Sequence, residues 1–118
     1  MAEPRQLVTT VGQATTALLP YTPITLDIAC AQLGLRSLRE LEPATFLADD
    51  ESDRIGRLLT LLDAATDGTG EGYVGVLWTM GPCAALGGST PMEACRSEAH
   101  GSDAMAELKR QQDRLFES

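Results

Sequence analysis

Aromatic residues are scarce in this 118-residue chain, at 4%: one Trp, two Tyr and two Phe. Its core must therefore be assembled mostly from Leu, Ala and Val. Histidine occurs once, at His100, and cysteine only at Cys30, Cys83 and Cys95. No Cys-x-x-Cys is present. A zinc site would need these four residues to converge from distant positions, and nothing in their spacing indicates that. Small buried thiols are the expected role, with no metal and, in a reducing compartment, no disulfide. No apolar run approaches the ~20 residues of a membrane-spanning helix, and no signal peptide is visible, so a cytoplasmic protein off the membrane is expected.

Positive charge is also lacking. Lys and Arg number 9 against 17 Asp and Glu, a net charge of −8, and no three basic residues cluster. Nucleic-acid binding relies on cations against phosphates. The imbalance argues against strong DNA binding and suits a basic protein partner. Catalytic groups are not assembled either. Asp49-Asp50-Glu51 are consecutive acids of the kind that point apart in solvent. Nucleophile, base and orienting group never come together, so no enzyme and no cofactor are expected. Asp67-Gly68-Thr69-Gly70-Glu71-Gly72 lacks the Lys-Ser/Thr of a phosphate loop and reads as a flexible connection.

What is present is helical periodicity. Leu7, Val11, Ala14 and Leu18 recur at helix spacing up to Pro20, with a strand near Leu7 to Val11 as the competing reading. Thr25 is placed to cap a helix bearing Leu26, Ala29, Cys30 and Leu33, closed by Gly34. Ser37 and Glu40 suggest a capping box for a short helix that Pro43 stops. The strongest helix spans Glu51 to Ala65, with Ile55, Leu58, Leu59, Leu62 and Ala65 as its apolar stripe. Acids load its positive end, and Asp53 and Arg57 stand four apart, able to pair. Tyr73 to Met80 reads as a central helix weakened by Gly75, burying Leu77 and Trp78, with a buried strand as the competing reading. Ala99-His100-Gly101 reads as a break before a last helix starting at Ser102-Asp103, with Met105, Leu108, Gln112, Leu115 and Phe116 on one stripe. His100 has no partner at a recognisable spacing and reads as a loop residue. An all-α fold follows.

The most distinctive stretch is Trp78 to Cys95. Gly81-Pro82 ends one helix, Ala85-Leu86-Gly87-Gly88 forms a loop, and Thr90-Pro91 with Glu93 opens the next as a capping box. Trp78, Pro82, Leu86, Gly87, Gly88 and Pro91 resemble the pattern of the toxin-binding domain of Xre/MbcA/ParS-type antitoxins. Asp50-Glu51-Ser52-Asp53-Arg54-Ile55-Gly56-Arg57-Leu58 resembles the Glu-Ser-Asp-Arg run that opens that domain in the Xre subgroup. The resemblance covers roughly Leu47 to Leu115.

It implies a toxin-binding helical domain over 47–118 behind a helix-turn-helix-like or dimerisation module over 1–46. It further implies a partner encoded nearby, a RES-domain toxin that consumes NAD. Neutralisation would come from covering the toxin's active site, with operon autoregulation as an added role and a homo-oligomer as the expected state. Carried over, the contact surface comprises Leu86, Gly87, Gly88, Ser89, Thr90 and Pro91, together with Leu115 and Phe116. A terminus ending Phe116-Glu117-Ser118 departs from the usual glycine-containing tail. In the N-terminal module Arg36 and Arg39 are the candidate DNA contacts, beside Glu40 and Glu42, which oppose that role. A DNA-binding regulator and an orphan or phage-borne interaction adaptor are the alternative functions.

Overall fold

The computed structural model describes residues 8 to 69 and 72 to 117, with side chains at 8 to 66 and 74 to 113. Among the described residues there are six α-helices and no strand. They are α1 (Val11–Leu18), α2 (Leu26–Leu33), α3 (Asp49–Thr69), α4 (Gly72–Met80), α5 (Pro91–Ala94) and α6 (Glu98–Glu117). Single 3-10 turns occur at Leu19–Tyr21, Leu38–Glu40 and Ala84–Leu86. The fold is all-α, and the strand reading near Val11 reduces to one isolated bridge between Thr10 and Phe46. Leu7 lies outside the described residues.

Local chemistry accounts for most helix ends. Thr10 caps α1 in a capping box with Gln13, and the Thr25 hydroxyl accepts the Ile28 amide at the start of α2. Gly34 closes α2 in a left-handed conformation, as its sequence position suggests. The helix expected between Ser37 and Pro43 does not form. Ser37 makes no capping bond, and the chain manages only the turn Leu38–Glu40. Leu38 is buried as an anchor. The turn-containing run beyond it then lies along the start of α1, where Thr45 and Pro43 carbonyls accept the Val11 and Gly12 amides. Those amides are among the donors a helix leaves unpaired at its start. A recognition helix is therefore absent from 36–42, and a helix-turn-helix is not confirmed.

The core is built on α3. Ile55, Leu58, Leu59, Leu62 and Ala65 are fully buried as the stripe indicates. The helix also continues to Thr69, so the first three residues of the expected flexible connection are helical, and Gly70 and Glu71 lie outside the described residues. On α4, Gly75 decides the orientation. A Cβ there would sit 2.5 Å from the Ala65 carbonyl oxygen, so only glycine permits the two backbones to approach this closely. With 100° between successive helical residues, Thr79 falls on the same side as Gly75 and Leu77 on the far side. Thr79 and Val76 are accordingly buried, Trp78 is half-buried against the core, and Leu77 is 45% exposed. Leu77 thus does not belong to the core, contrary to the sequence reading.

A second correction concerns α6, which runs unbroken through Ala99-His100-Gly101 and starts at Glu98, not at Ser102. The Ser97 hydroxyl accepts the His100 amide at 3.2 Å and lies 2.7 Å from His100 Nδ1, so His100 has a local partner and sits in the first helical turn. Gly101 permits a close pass of Arg57, whose Cδ lies 3.3 Å from where a Cβ would be. Further along, Ala104 and Leu108 are buried, and Gln112 donates to the Ala64 carbonyl at 3.1 Å. Cys30 and Cys95 are buried, but Cys83 is only half-buried, because it lies in the turn between α4 and α5. Burial raises the Cys30 thiol and pushes that of Cys95 up to about 11.

One apolar cluster extends from Val8 to Leu108 and joins the N-terminal residues to the rest. The Glu51–Arg57 run stitches the same elements with polar bonds. Glu51 takes a bidentate ion pair from Arg36, at 2.7 and 3.0 Å, and accepts the Ala48 amide at 2.8 Å. Ser52 donates its hydroxyl to the Val8 carbonyl. Arg54 donates to the Leu33 carbonyl at 2.7 Å and pairs with Asp50. Arg57 turns away from the expected Asp53 and donates to the carbonyls of Cys95, at 2.9 Å, and Arg96, at 3.2 Å. Arg96 in turn donates to the Gln32 carbonyl at 2.6 Å. Three guanidinium groups thereby serve the ends of α2 and α5, where helices leave carbonyls unpaired and favour cations.

Candidate functional site

The candidate surface is the turn between α4 and α5. Helix α4 cannot pass Pro82, which lacks an amide donor. The following residues close on themselves through Cys83. Its amide donates to the Ser89 carbonyl at 3.0 Å, and its carbonyl accepts the amides of Leu86 and Gly88, both at 3.0 Å. The Ala84 carbonyl accepts the Gly87 amide at 3.1 Å. Such pairing requires Gly87 and Gly88 at φ +70° and +90°, a region that side chains penalise. The turn is thus hydrogen-bonded through its own backbone.

Its two sides differ. Ala84, Ala85, Gly87, Gly88 and Ser89 are exposed, whereas Leu86 is half-buried against the core. Thr90 and Pro91 are buried. Thr90 forms the expected capping box with Glu93 and donates its hydroxyl to Gln32 Oε1 on α2 at 3.0 Å. Its role is to anchor the turn on the neighbouring helix. A shallow groove of about 350 Å³ separates the turn from the start of α6, lined by Leu86, Glu93, Arg96, His100 and Asp103 among others. Two carboxylates, one guanidinium already spent on α2 and one imidazole give it mixed charge. Leu115 and Phe116 fall on the last turn of α6, and their side chains lie outside the described residues.

The other candidates, Arg36 and Arg39, are far from this turn in sequence and engaged elsewhere. Arg36 is held by Glu51, and Arg39 Nη1 lies 2.6 Å from Asp27 Oδ2. Both cations face carboxylates that a phosphate would have to displace. The structure brings the Leu86–Ser89 residues together and does not join them to the arginines. Sequence reasoning missed Ser97, although a Ser followed by Glu98 is itself a helix-start signal. It also missed Arg96, whose partners 64 positions away left no local sign.

Among the described residues no group of His, Cys, Asp or Glu is placed to hold a metal ion, and no helix is long and apolar enough to cross a membrane. In comparisons with known proteins, the chain matches no protein-family model and no curated protein.

Proposed function

We propose that this protein is an antitoxin-like binding module that neutralises a protein toxin by lying over its active site. The single observation that carries the reading is the Cys83–Ser89 turn. It falls on the residues that resemble the toxin-binding pattern, it is fixed by its own backbone bonds, and its exposed residues Ala84, Ala85, Gly87, Gly88 and Ser89 are small. A fixed backbone shape loses little entropy on docking. The acidic balance of −8 adds attraction toward a basic partner. On the same resemblance the partner is a RES-type, NAD-consuming toxin encoded next to this chain, and Leu115 and Phe116 supply a second contact.

Co-expression with the product of the adjacent gene tests this. The expected results are rescue of growth and co-elution of the two proteins on size-exclusion chromatography. Ala85→Arg combined with Ser89→Arg places two bulky cations on the exposed side of the turn. That variant is expected to keep the helical circular dichroism while losing at least tenfold in affinity, the scale of a single disrupted anchor. A folded variant that still protects cells and binds as before removes the turn from the interface. No complex with the wild-type chain removes the function.

A further inference from the structure

The run that crosses the start of α1 leaves one of its sides bare. Residues 45 to 47 lie antiparallel to residues 9 to 11, joined at the bridge between Thr10 and Phe46. The Thr45 carbonyl accepts the Val11 amide, and the Leu47 amide donates to the Thr9 carbonyl, at 3.0 and 2.9 Å. Extended backbone aims its polar groups to alternate sides from one residue to the next, so the Phe46 N–H and C=O face away from α1. Neither has a hydrogen-bond partner among the described residues. The side chains divide likewise. Leu47 packs against the core, whereas Phe46 is 75% exposed, more than any other large apolar residue described.

Carboxylates flank this edge along the chain. Residues 40 to 53 contain six Asp and Glu and no Lys or Arg. Arg36 and Arg54 answer Glu51 and Asp50, and Arg39 at the border is held by Asp27. Glu40, Glu42, Asp49 and Asp53 remain, all exposed and without an ion pair among the described residues. We propose that the Phe46 edge docks an extended, basic peptide segment of a partner protein. The segment's backbone pairs with the free Phe46 N–H and C=O, and its apolar side chains cover the Phe46 ring. Its Lys or Arg side chains meet the four remaining carboxylates. A second copy of this chain is not the occupant, because it brings the same acids to the same place. Nucleic acid is repelled for the same reason. The edge involves neither the Cys83–Ser89 turn nor the end of α6, so the inference stands or falls separately from the proposed toxin contact.

The probe is a short capped peptide alternating lysine with valine, titrated into the purified full chain while amide hydrogen exchange is followed by NMR. Exchange at the Phe46 amide is expected to slow at least tenfold on binding, because that amide gains a partner. Affinity is expected to fall as salt is raised. Phe46→Ala, at an exposed position, is expected to keep the helical circular dichroism and to weaken binding about tenfold. The same peptide N-methylated at every residue keeps its charge but has no backbone donor, and it is expected not to bind. A peptide alternating glutamate with valine is expected not to bind either. A lysine–valine peptide that leaves Phe46 exchange unchanged at millimolar concentration overturns the inference. So does a folded Phe46→Ala chain that binds as tightly as wild type, or a glutamate–valine peptide that binds equally. Should Phe46→Ala unfold, the methylated peptide decides. Binding equal to that of the parent peptide would reflect attraction to the acids alone and overturns the docking edge.

Discussion

Glu51 concentrates more bonding than any other carboxylate described above. It holds both guanidinium nitrogens of Arg36 and the amide of Ala48, and the Arg36 bonds above all keep its carboxyl below the usual range. A carboxylate whose pKa is lower folded than unfolded stabilises the fold above the unfolded value, near ~4.3, and loses that contribution as pH falls through the folded value. Glu51→Gln keeps an oxygen for Ala48 but abolishes the ion pair. Its stability is expected to be lower than wild type at pH 7, with the gap closing as pH falls below about 4. Urea titrations of both proteins at several pH values measure this, and a gap independent of pH would assign the loss to packing.

At the scale of elements, the contact between α3 and α4 is the one most sensitive to a single atom. Gly75→Ala would drive a Cβ to 2.5 Å from the Ala65 carbonyl oxygen, and backbone cannot yield as a flexible side chain would. Despite alanine's better helix propensity, the variant is expected to be less stable by about 1–3 kcal/mol. Gly56→Ala is the matched control, since its Cβ would meet nothing within 4 Å, and it is expected to gain up to about 1 kcal/mol. Equal effects of the two changes would show that α4 packs less closely than described.

These same elements show what was legible from residues alone. Stripes and caps, which depend on neighbours a few positions away, placed α2, α3 and α5 and the fold class. The turn around Ala85 to Gly88 was legible for the same reason, since Gly-Gly and a capping box are local signals. What escaped depends on contacts distant in sequence. Gly75 lowers local helix propensity, but its close approach to Ala65 fixed which side of α4 faces out, and so misplaced Leu77. Gly101 looked like a breaker, yet Ser97 starts α6 upstream of it and Arg57 packs against it. Ser37 and Glu40 matched a capping pattern, but burial of Leu38 and pairing of residues 43–47 with α1 overrode it.

For the whole molecule, net charge sets the long-range behaviour. A chain at −8 whose Arg36 and Arg39 both sit against carboxylates presents little to attract phosphates. Binding of the isolated protein to DNA upstream of its own gene is expected to be weak and to fall steeply with salt. Electrophoretic mobility shifts over a salt series check this. Nanomolar, sequence-specific binding at physiological salt would show that Glu51 and Asp27 release their arginines to DNA.

The arginine links between distant segments also bear on how the chain comes into being. The last residue of α2 is Leu33, but the Gln32 carbonyl gains its partner only when Arg96 has been synthesised, and the Arg57 guanidinium likewise waits for the Cys95 and Arg96 carbonyls. Synthesis adds about 5–20 residues each second, so the residues of α2 precede by several seconds the guanidinium that closes the helix, and a helix of 8 residues is marginal without such support. A messenger truncated anywhere before Arg96 is thus expected to yield a fragment cleared by degradation, not a smaller working protein.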